Sequence, residues 1–437
     1  MWPFRSKQAT PSLNRKSASY FFSLGLGKAG LTGAGYDKLA TEGYAECVVA
    51  FACINMKAAA VASVDLHLYQ RGKKGKLAKV EKHDLLKLLE NPNPAQSGRE
   101  FMRALTSYQQ LSGNGYVFGN GIDYASRKSF PPMELQVLNP GKMKVEPGTG
   151  LFPKQYEYRP NQNAATIFPV DQISGRSAIL HFKSFNPLNP WYGMSALEAA
   201  ALGVDIHNDG QRWNKGLIAN GARPSGALVV QGENATLSEE QYTRVKEMID
   251  DQFSGTANVG RPMLLEGGLD WKEMSINPKD MEFLEGKHSA ARDIALAFGV
   301  PPQLLGIPGD STYSNYSEAK LAFWTDTVLP QLGWTLDAFN RWLTPLYGEG
   351  LFFWYDEEMI PALEPLRKAK AERINAASYM TINEKRRAMG LDDVEGGDVI
   401  FVPTTSIPLE LAGQVDLPEP GSEADPVPPA ADPNADD

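Results

Sequence analysis

The order of apolar and polar positions along the chain predicts an α+β protein. An alanine-rich apolar pattern from about residue 41 predicts a helix, and Val64, Leu66 and Leu68 then alternate with polar neighbours as in a half-buried strand. A short helix over HDLLKLLE follows and ends at NPNP. Four further strands are predicted around residues 116–118, 135–138, 155–158 and 179–182. Helices mixed with short strands in this way favour an α+β fold.

Three Ser/Thr-x-x-Glu patterns mark predicted starts of helices, because each of the two side chains can satisfy a backbone N–H that is left free in the first turn. They begin at Ser97, Ser195 and Thr236. The helix after Ser195 has apolar residues on one side of its first turns and polar residues nearly all round its later turns. Such a helix either bridges solvent or packs against copies of itself.

The segment around the Thr236 helix is predicted to be a small insert. SGALVV and RPMLLEGG, on either side of the helix, are predicted as an outgoing and a returning strand. The apolar face of the helix carries only Val245, Met248, Ile249 and Phe253, which make too small a core to be stable alone. Oligomerisation would bury more apolar surface and so compensate for the small core.

Two further helices are predicted on either side of a short crossing segment. The first starts at the Asn-Pro pair of residues 277–278 and ends at Gly299, and the second restarts at Asn315 and runs to about residue 343. Pro330 lies inside the second helix. A kink is expected in the turn that leads up to it, since proline removes a ladder hydrogen bond and clashes with the preceding turn.

The C-terminal part of the chain changes from structured to strongly acidic. FFWY predicts a strand, RKAKAERINAASYM a basic helix, and residues 383–389 a shorter helix. Residues 408–437 carry seven prolines, eight carboxylates and no Lys or Arg, a composition typical of disorder. The net charge of the whole chain is −9, so the remainder is close to neutral.

Composition narrows the functional classes. A chain of 437 residues with 42% hydrophobic residues is typical of a globular protein with two or three domains. Proteins that hold DNA by its phosphates need clustered Lys and Arg, and this chain has no such excess, although DNA could still pass it without being held. Cys47 and Cys53 share one helical pattern without a CxxC spacing, which favours a reducing compartment. No apolar run long enough for a membrane span is predicted.

No motif in the sequence predicts an enzyme, a cofactor or a metal site. GLGKAG matches the dinucleotide-binding spacing but lacks the flanking strand and helix, and the five histidines show no HExxH pairing. Ser195 lies in GMSAL, which lacks the second glycine of a hydrolase elbow, so we interpret it as a helix cap. Acidic clusters remain at residues 250–251, 356–358 and 392–393. A metal-dependent nuclease would need carboxylates that converge from separate elements, so we interpret these as solvated surface.

Several segments, in order, resemble the portal proteins of tailed double-stranded DNA bacteriophages. The segments are NPNPAQSGREF, LSGNGYVFGN, LQVLNPGKMKV, ILHFKSFNPLNPWYGMSALEAA, NGARPSGAL, NVGRPMLLEGGLDW, NPKDMEFLEGKHSAARDIALAFGVPPQLLG and TYSNYSEAKLAFWTDTVLPQL. The resemblance runs from about Tyr44 to about residue 400. It implies a dodecameric ring at one capsid vertex, a channel for genome packaging and ejection, and no enzymatic activity.

The resemblance and the composition together divide the chain into segments of the portal fold. In chain order these are a flexible N-terminal arm (1–43), an α+β wing (44–192), a stem helix (193–222), a small α/β clip (223–277), a second stem helix (278–300), a tunnel loop (301–315), a long kinked helix with a wing return strand (316–367), a helical crown (368–402) and a disordered acidic tail (403–437).

The resemblance also implies two functional surfaces. Leu304 and Leu305 would anchor a pliable tunnel loop that projects into the channel. The expected channel residues are Gly306, Gly309, Asp310, Ser311, Thr312, Tyr313, Ser314 and Asn315. The expected docking residues of the clip are Arg223, Glu233, Glu239, Glu240 and Arg244. A loop tip with one acid and no base suits a sliding contact, because a fixed cation would hold phosphates.

The implied partners are other copies of this chain, the major capsid protein, the terminase large subunit, a head–tail adaptor protein and passing double-stranded DNA, with no membrane. The implied location is the portal vertex of a virion, after assembly in the host cytoplasm. Two alternatives stay open from the sequence alone. One is a ring-forming head–tail connector other than the portal, and the other is a metal-dependent nuclease that uses the acidic clusters.

Overall fold

Helices and short antiparallel strands alternate along the chain, as the apolar pattern predicts. The computed structural model describes residues 35–72, 77–122, 130–161, 164–219, 226–230, 238–253, 269–273, 283–307 and 313–400. The chain divides into two units, Met1–Leu363 and Glu364–Asp437. The N-terminal arm and the acidic tail lie almost entirely outside the described ranges.

The α-helices alternate with strands along the chain. They are α1 (Tyr36–Lys38), α2 (Val48–Ser63), α3 (Asp84–Glu90), α4 (Gly98–Ser112), α5 (Ala196–Ala199), α6 (Ala201–Ala219), α7 (Glu239–Phe253), α8 (Phe283–Phe298), α9 (Tyr313–Ala322), α10 (Leu329–Trp342), α11 (Glu364–Ala376) and α12 (Ile382–Ala388). Two π-helical segments, Leu39–Ala45 and Phe323–Val328, precede α2 and α10. Short 3₁₀ turns occur at Pro140–Lys142, Pro302–Leu305, Thr344–Leu346, Glu357–Met359 and Pro361–Leu363.

The strands form small antiparallel sheets. They are β1 (Leu66–Arg71), β2 (Leu77–Val80), β3 (Asn114–Asn120), β4 (Glu134–Leu138), β5 (Met143–Glu146), β6 (Gln155–Asn161), β7 (Ala164–Pro169), β8 (Ile179–Lys183), β9 (Gly226–Val230), β10 (Leu269–Glu273) and β11 (Leu351–Tyr355). The sheet orders are β11-β1-β2, β4-β3-β8, β5-β6-β7 and β10-β9. β11 pairs with β1 from far along the chain, with Leu68 opposite Phe353.

The main core of the first unit lies where α2, α4, α8 and α10 meet the sheets. Phe339 of α10 is fully buried, and its ring lies 6.4 Å from that of Phe101 and 5.4 Å from that of Phe182. Ile54 of α2 and Ile294 of α8 are buried in the same cluster. The helices on both sides of the crossing segment therefore share one core with the N-terminal sheets.

The first two predicted capping boxes are confirmed, and the third begins at a different residue. Ser97 with Glu100 and Ser195 with Glu198 each exchange both hydrogen bonds. For α7 the box begins at Ser238, which donates its N–H to Gln241 Oε1 and accepts from the Gln241 N–H. Thr236 was therefore the wrong cap, because Ser-x-x-Gln two residues later satisfies the same two donors.

Three predicted boundaries differ from the structure. The helix after Ser195 breaks at Ala200, which separates α5 from α6. α9 begins at Tyr313, so the predicted start at Asn315 was too late. The partner of β9 is β10, whereas RPMLLEGG falls outside the part of the chain that the structure describes.

The helix irregularity predicted before Pro330 is a π-helical segment. Phe323–Val328 has the wider π-helical turn, and α10 then starts with Pro330 in its first turn. Proline is tolerated there because the first N–H groups of a helix have no partner within it. The chain thus adjusts its hydrogen-bond ladder one turn before the proline.

No single described helix is long and apolar enough to cross a bilayer. The segments Tyr36–Ala45 and Val48–Ser63 meet the length and hydropathy requirement only as a pair, and they are bent by 98° at the break between them. The second of these segments, α2, carries buried core residues along its length.

The second unit consists of two helices and the turn that follows them. Thr381 and Glu384 form a capping box at the start of α12. The buried Asn383 donates to the carbonyl of Val394, and its own side-chain oxygen accepts from the Val394 N–H. Arg387 pairs with Asp393. These contacts fold the segment after α12 back onto the helix.

Candidate functional site

The pair of long helices α6 and α8 is the structural centre of the candidate site. Val204 of α6 and Ile294 of α8 are both buried. A β-carbon added to Gly203 would lie 3.4 Å from the carbonyl oxygen of Ala290 and 3.4 Å from Ile294 Cγ1. Glycine at this position therefore allows the two helices to approach closely. Two sets of contacts, called the first and the second anchor, fix the ends of this helix pair.

The first anchor is a close backbone approach between the end of α4 and the residues before α5. Gly113 ends α4 with φ +70°, the left-handed conformation that glycine adopts without strain. A β-carbon at Gly113 would lie 2.5 Å from the carbonyl carbon of Met194, and one at Gly193 would lie 2.0 Å from the Gly113 oxygen. Two glycines 80 positions apart are thus needed at one contact.

Asn114 completes this anchor through both ends of its amide. Its Oδ1 accepts from the Gly193 N–H at 2.7 Å, and its Nδ2 donates to the carbonyl oxygens of Ser112 at 2.7 Å and Gly193 at 3.3 Å. His181 Nε2 lies 3.0 Å from the same Oδ1, and its ring stacks on Tyr116 at 4.4 Å. Burial, together with nearby Lys183, lowers the pKa of His181 to about 3, so a neutral imidazole donates this hydrogen bond.

The second anchor is the C-terminal end of α8. The N–H of Val300 donates to the Ala295 carbonyl and that of Gly299 donates to the Leu296 carbonyl, with Gly299 at φ +66°. This is a Schellman ending, which satisfies carbonyls that have no partner within the helix. Thr327 Oγ1, in the π-helical segment, donates to the Gly299 carbonyl at 2.6 Å. The end of α8 is therefore tied to the helix that follows the crossing segment.

Lys57 provides the remaining contact at the second anchor. Its Nζ lies inside the core and donates to Gln110 Oε1 at 2.9 Å and to the Phe298 carbonyl at 3.2 Å. Burial lowers the pKa of Lys57 to about 8, against an opposing effect of Cys53. Burial also raises the pKa of Cys53 to about 12, so its thiol is neutral. A buried ammonium at a helix C-terminus stabilises the negative end of the helix dipole.

The crossing segment starts from these anchors. Leu304 and Leu305 belong to a 3₁₀ turn and pack against the main core, which agrees with their expected role at the base of the loop. Gly306 follows with φ +68° and open space around its α-carbon. Gly309, Asp310, Ser311 and Thr312 lie outside the described residues.

The last three expected channel residues belong to a helix and not to a loop. Tyr313, Ser314 and Asn315 form the first turn of α9, and Asn315 is exposed. The loop between the two helices is therefore shorter than the predicted range of 301–315. The sequence signal at Asn315 was misleading because a residue in the first turn can be as polar as a cap.

The whole-chain comparison identifies the kind of protein that carries this helix pair. The sequence model of the phage portal protein family matches residues 48–390. The chain belongs to the phage portal protein family.

Named relatives and solved structures agree with this membership. An uncharacterized protein of Rickettsia bellii is 40% identical over 361 residues, which are 83% of this chain and 91% of that protein. The portal protein of Enterobacteria phage HK97 is 24% identical over 372 residues, 83% of this chain and 82% of the relative. The neck of a native gene transfer agent particle, computed with C12 symmetry, has a TM-score of 0.62 and 39% identity, covering 83% of this chain and 97% of that one.

Membership confirms the predicted fold class and the predicted portal function. The mixed α+β architecture is the portal fold, and the function is that of a portal protein. Portal proteins are structural, so the expectation of a non-enzymatic protein is also confirmed.

One residue in each of two acidic clusters has a structural role. Asp356 caps a 3₁₀ turn by accepting from the Glu358 N–H, and Asp393 pairs with Arg387, which lowers the pKa of that carboxyl. Among the described residues, no group of three or more His, Cys, Asp or Glu side chains is arranged to hold a metal ion.

The expected docking residues lie partly within the described insert of the portal chain. Glu239, Glu240 and Arg244 are exposed on α7, whereas Arg223 and Glu233 lie outside the described residues. β9 and β10 form a two-stranded antiparallel pair next to α7 in the chain, with Leu228 opposite Trp271. β9 corresponds to the predicted outgoing strand SGALVV, whereas β10 begins directly after the segment predicted as the returning strand.

Sequence reasoning missed both anchors of the stem helices. Lys57 was one sequence signal of an anchor, because it interrupts an otherwise apolar helical segment. The glycines of LSGNGYVFGN and PWYGMS gave another, since each follows a predicted element. Neither signal indicates which residue is contacted. The hydrogen bond from Lys57 to Phe298, for example, spans 241 positions.

Proposed function

We propose that copies of this chain form a dodecameric ring at one capsid vertex, and that genome DNA enters and leaves through the axial channel of this ring. The observation that carries the proposal is the likeness, at 39% identity, to a chain of a particle neck computed with C12 symmetry. Closed cyclic rings arise when one surface of a subunit binds a different surface of the next copy. The alternative, a ring-forming head–tail connector other than the portal, has no comparable observation in its favour.

Ring formation is the first expected result. The purified full-length chain is expected to assemble into a closed species of roughly a dozen copies, because cyclic symmetry satisfies every subunit interface. Mass photometry measures the mass distribution directly, and negative-stain images show whether the species has a central hole. A chain that stays monomeric at every concentration would contradict the proposal.

The proposed channel contact is the loop between α8 and α9. Its base is fixed by the Gly299 ending, by Thr327 and by the packed Leu304 and Leu305. The proposed channel-facing stretch starts at the open Gly306 and includes Asp310. A fixed base with one carboxylate and no lysine or arginine at the tip would let a polyanion slide past.

Reversing the charge of this loop is expected to slow DNA passage while leaving the ring intact. The variant Asp310→Lys places a cation where the proposed loop meets phosphates, and cation–phosphate contacts displace counterions and hold DNA. Packaging rate in a reconstituted system measures the effect, which should weaken as salt is raised. Glu349→Lys makes the same charge change at an exposed position outside the loop and serves as the control. Equal rates for the two variants would remove the loop from the mechanism.

The remaining partners are assigned by position along the chain. We assign the exposed Glu239, Glu240 and Arg244 of α7 to the docking of the terminase large subunit and later of the head–tail adaptor. The capsid protein would surround the ring at the vertex, after assembly in the host cytoplasm. A packaging complex in which the terminase leaves α7 uncovered would contradict this assignment.

A further inference from the structure

The helix α6 has an apolar face that the chain itself leaves uncovered. Leu202 and Ile206 are 68% and 49% exposed, and they lie one turn apart on the side of α6 opposite the buried Ala201 and Val204. An apolar stripe on both sides of a helix is typical of a helix that is buried from both sides. This exposed pair therefore needs a partner.

The turn before α2 lies beside α6 and leads into a helix with exposed apolar residues. Asn208 donates to the Glu42 carbonyl at 2.9 Å and Arg212 pairs with Glu46, so the turn before α2 lies against α6. Val48 and Phe51 follow that turn directly and are also exposed. We call Leu202 and Ile206 the α6 patch.

The outer side of α8 also carries an exposed apolar residue. Leu296 is 78% exposed on the side opposite the buried Ile294, Ala291 and Phe298. The same side carries Gly286 and Ser289, and a β-carbon at Gly286 would meet nothing within 4 Å. Small residues let another helix approach closely, while Leu296 gives it an apolar contact. This side of α8 is called the α8 face.

We propose that the α6 patch of one copy packs against the α8 face of the next copy in the ring; this inference rests on the proposed function. In a closed row of such helix pairs, α6 and α8 alternate, so each α6 has one α8 beside it within the chain and another from the neighbouring copy. Two different surfaces on one subunit are what a heterologous, ring-closing contact requires. The occupant of the α6 patch is therefore a second copy of this chain.

The register of this contact follows from the packing within one chain. Gly203 faces Ala290, Asp293 and Ile294, and His207 lies beside Lys287. A later residue of α6 thus meets an earlier residue of α8, so the two helices run antiparallel, with residue 203 level with about residue 292. In a ring with cyclic symmetry, a given residue lies at the same height along the ring axis in every copy. Ile206 of one copy is therefore expected beside Ser289 of the next.

Cysteine cross-linking tests the contact and its register. The natural cysteines Cys47 and Cys53 are fully buried, so the added thiols of Ile206→Cys and Ser289→Cys are the ones that a short bismaleimide reaches. Assembled double-variant rings are expected to give a ladder of covalent multimers on a denaturing gel, and each single variant is expected to stay monomeric. Dimers from Ile206→Cys alone would show an α6–α6 contact and overturn the proposal.

A second variant keeps the test decisive if the cysteine pair fails to assemble. Ile206→Asp is expected to abolish the ring peak in mass photometry while circular dichroism shows a folded chain. The matched control Ile167→Asp changes an isoleucine of similar exposure, 54%, on β7 and is expected to keep the ring. Intact rings from Ile206→Asp, or no ladder from intact double-variant rings, would overturn the contact and leave the ring itself standing. Absence of rings from the parent chain would overturn the proposed function and the contact with it.

Discussion

Replacing Gly113 with alanine is expected to lower the free energy of unfolding of the first unit by about 3 kcal/mol. About 1–2 kcal/mol comes from forcing a residue with a β-carbon into the left-handed conformation, and about 1–3 kcal/mol from overpacking. The new methyl group would lie 2.5 Å from the carbonyl carbon of Met194, and backbone cannot move aside as a side chain can. The substitution therefore pushes α4 away from the start of the stem helix.

The variant Gly306→Ala distinguishes the effect of the left-handed conformation from the effect of overpacking. Gly306 has φ +68°, nearly that of Gly113 at +70°, but nothing lies within 4 Å of its added β-carbon. We expect this variant to lose only about 1 kcal/mol. Urea unfolding followed by tryptophan emission measures both, since all eight tryptophans precede residue 364 and report on the first unit alone. Equal losses for the two variants would show that the contact between Gly113 and Gly193 is not tight.

The parts of the fold that sequence predicts are those whose signals are local. The capping boxes at Ser97 and Ser195 depend on residues three positions apart, and both are present. The half-buried strand β1 shows its alternation of apolar and polar residues within one segment. Local signals of this kind do not depend on where the rest of the chain lies.

Two of the strands that were missed, β2 and β7, have little burial of their own. β2 is mostly exposed and β7 is exposed at most positions, so neither shows a clear apolar alternation. These strands form because a partner strand offers hydrogen bonds at the sheet edge, as β1 does for β2. Backbone pairing of that kind leaves almost no trace in the order of side chains.

The candidate site depends on contacts between distant positions, and this is why its anchors escaped prediction. Asn114 reaches Gly193 across 79 positions, and Thr327 reaches Gly299 across 28. The resemblance to portal proteins implies a stem, a clip and a loop at expected positions along the chain. It does not say which side chains hold the stem, because those are specific to the packing of this core.

The stability of the first unit is expected to rise with pH between about 8 and 10 because of Lys57. Its folded pKa is about 8 and its ordinary value is 10.5, so in this range the unfolded chain binds a proton that the folded chain has released. Stability increases with pH wherever the unfolded state binds more protons. Relative to Lys57→Met, which has no titrating group there, the parent chain should gain about 2–3 kcal/mol from pH 7 to pH 10.

Urea unfolding of the parent chain and of Lys57→Met at each pH gives this difference directly, again from tryptophan emission. The variant leaves Gln110 Oε1 and the Phe298 carbonyl without their donor, but that loss is independent of pH and cancels in the slope. Lys144→Met, at an exposed lysine of β5, is the control for loss of one positive charge. Parallel pH profiles for the parent chain and Lys57→Met would mean that water reaches Nζ. In that case the end of α8 would be held by its glycine ending and Thr327 alone, and the loop that follows it would be less firmly anchored than the buried ammonium implies.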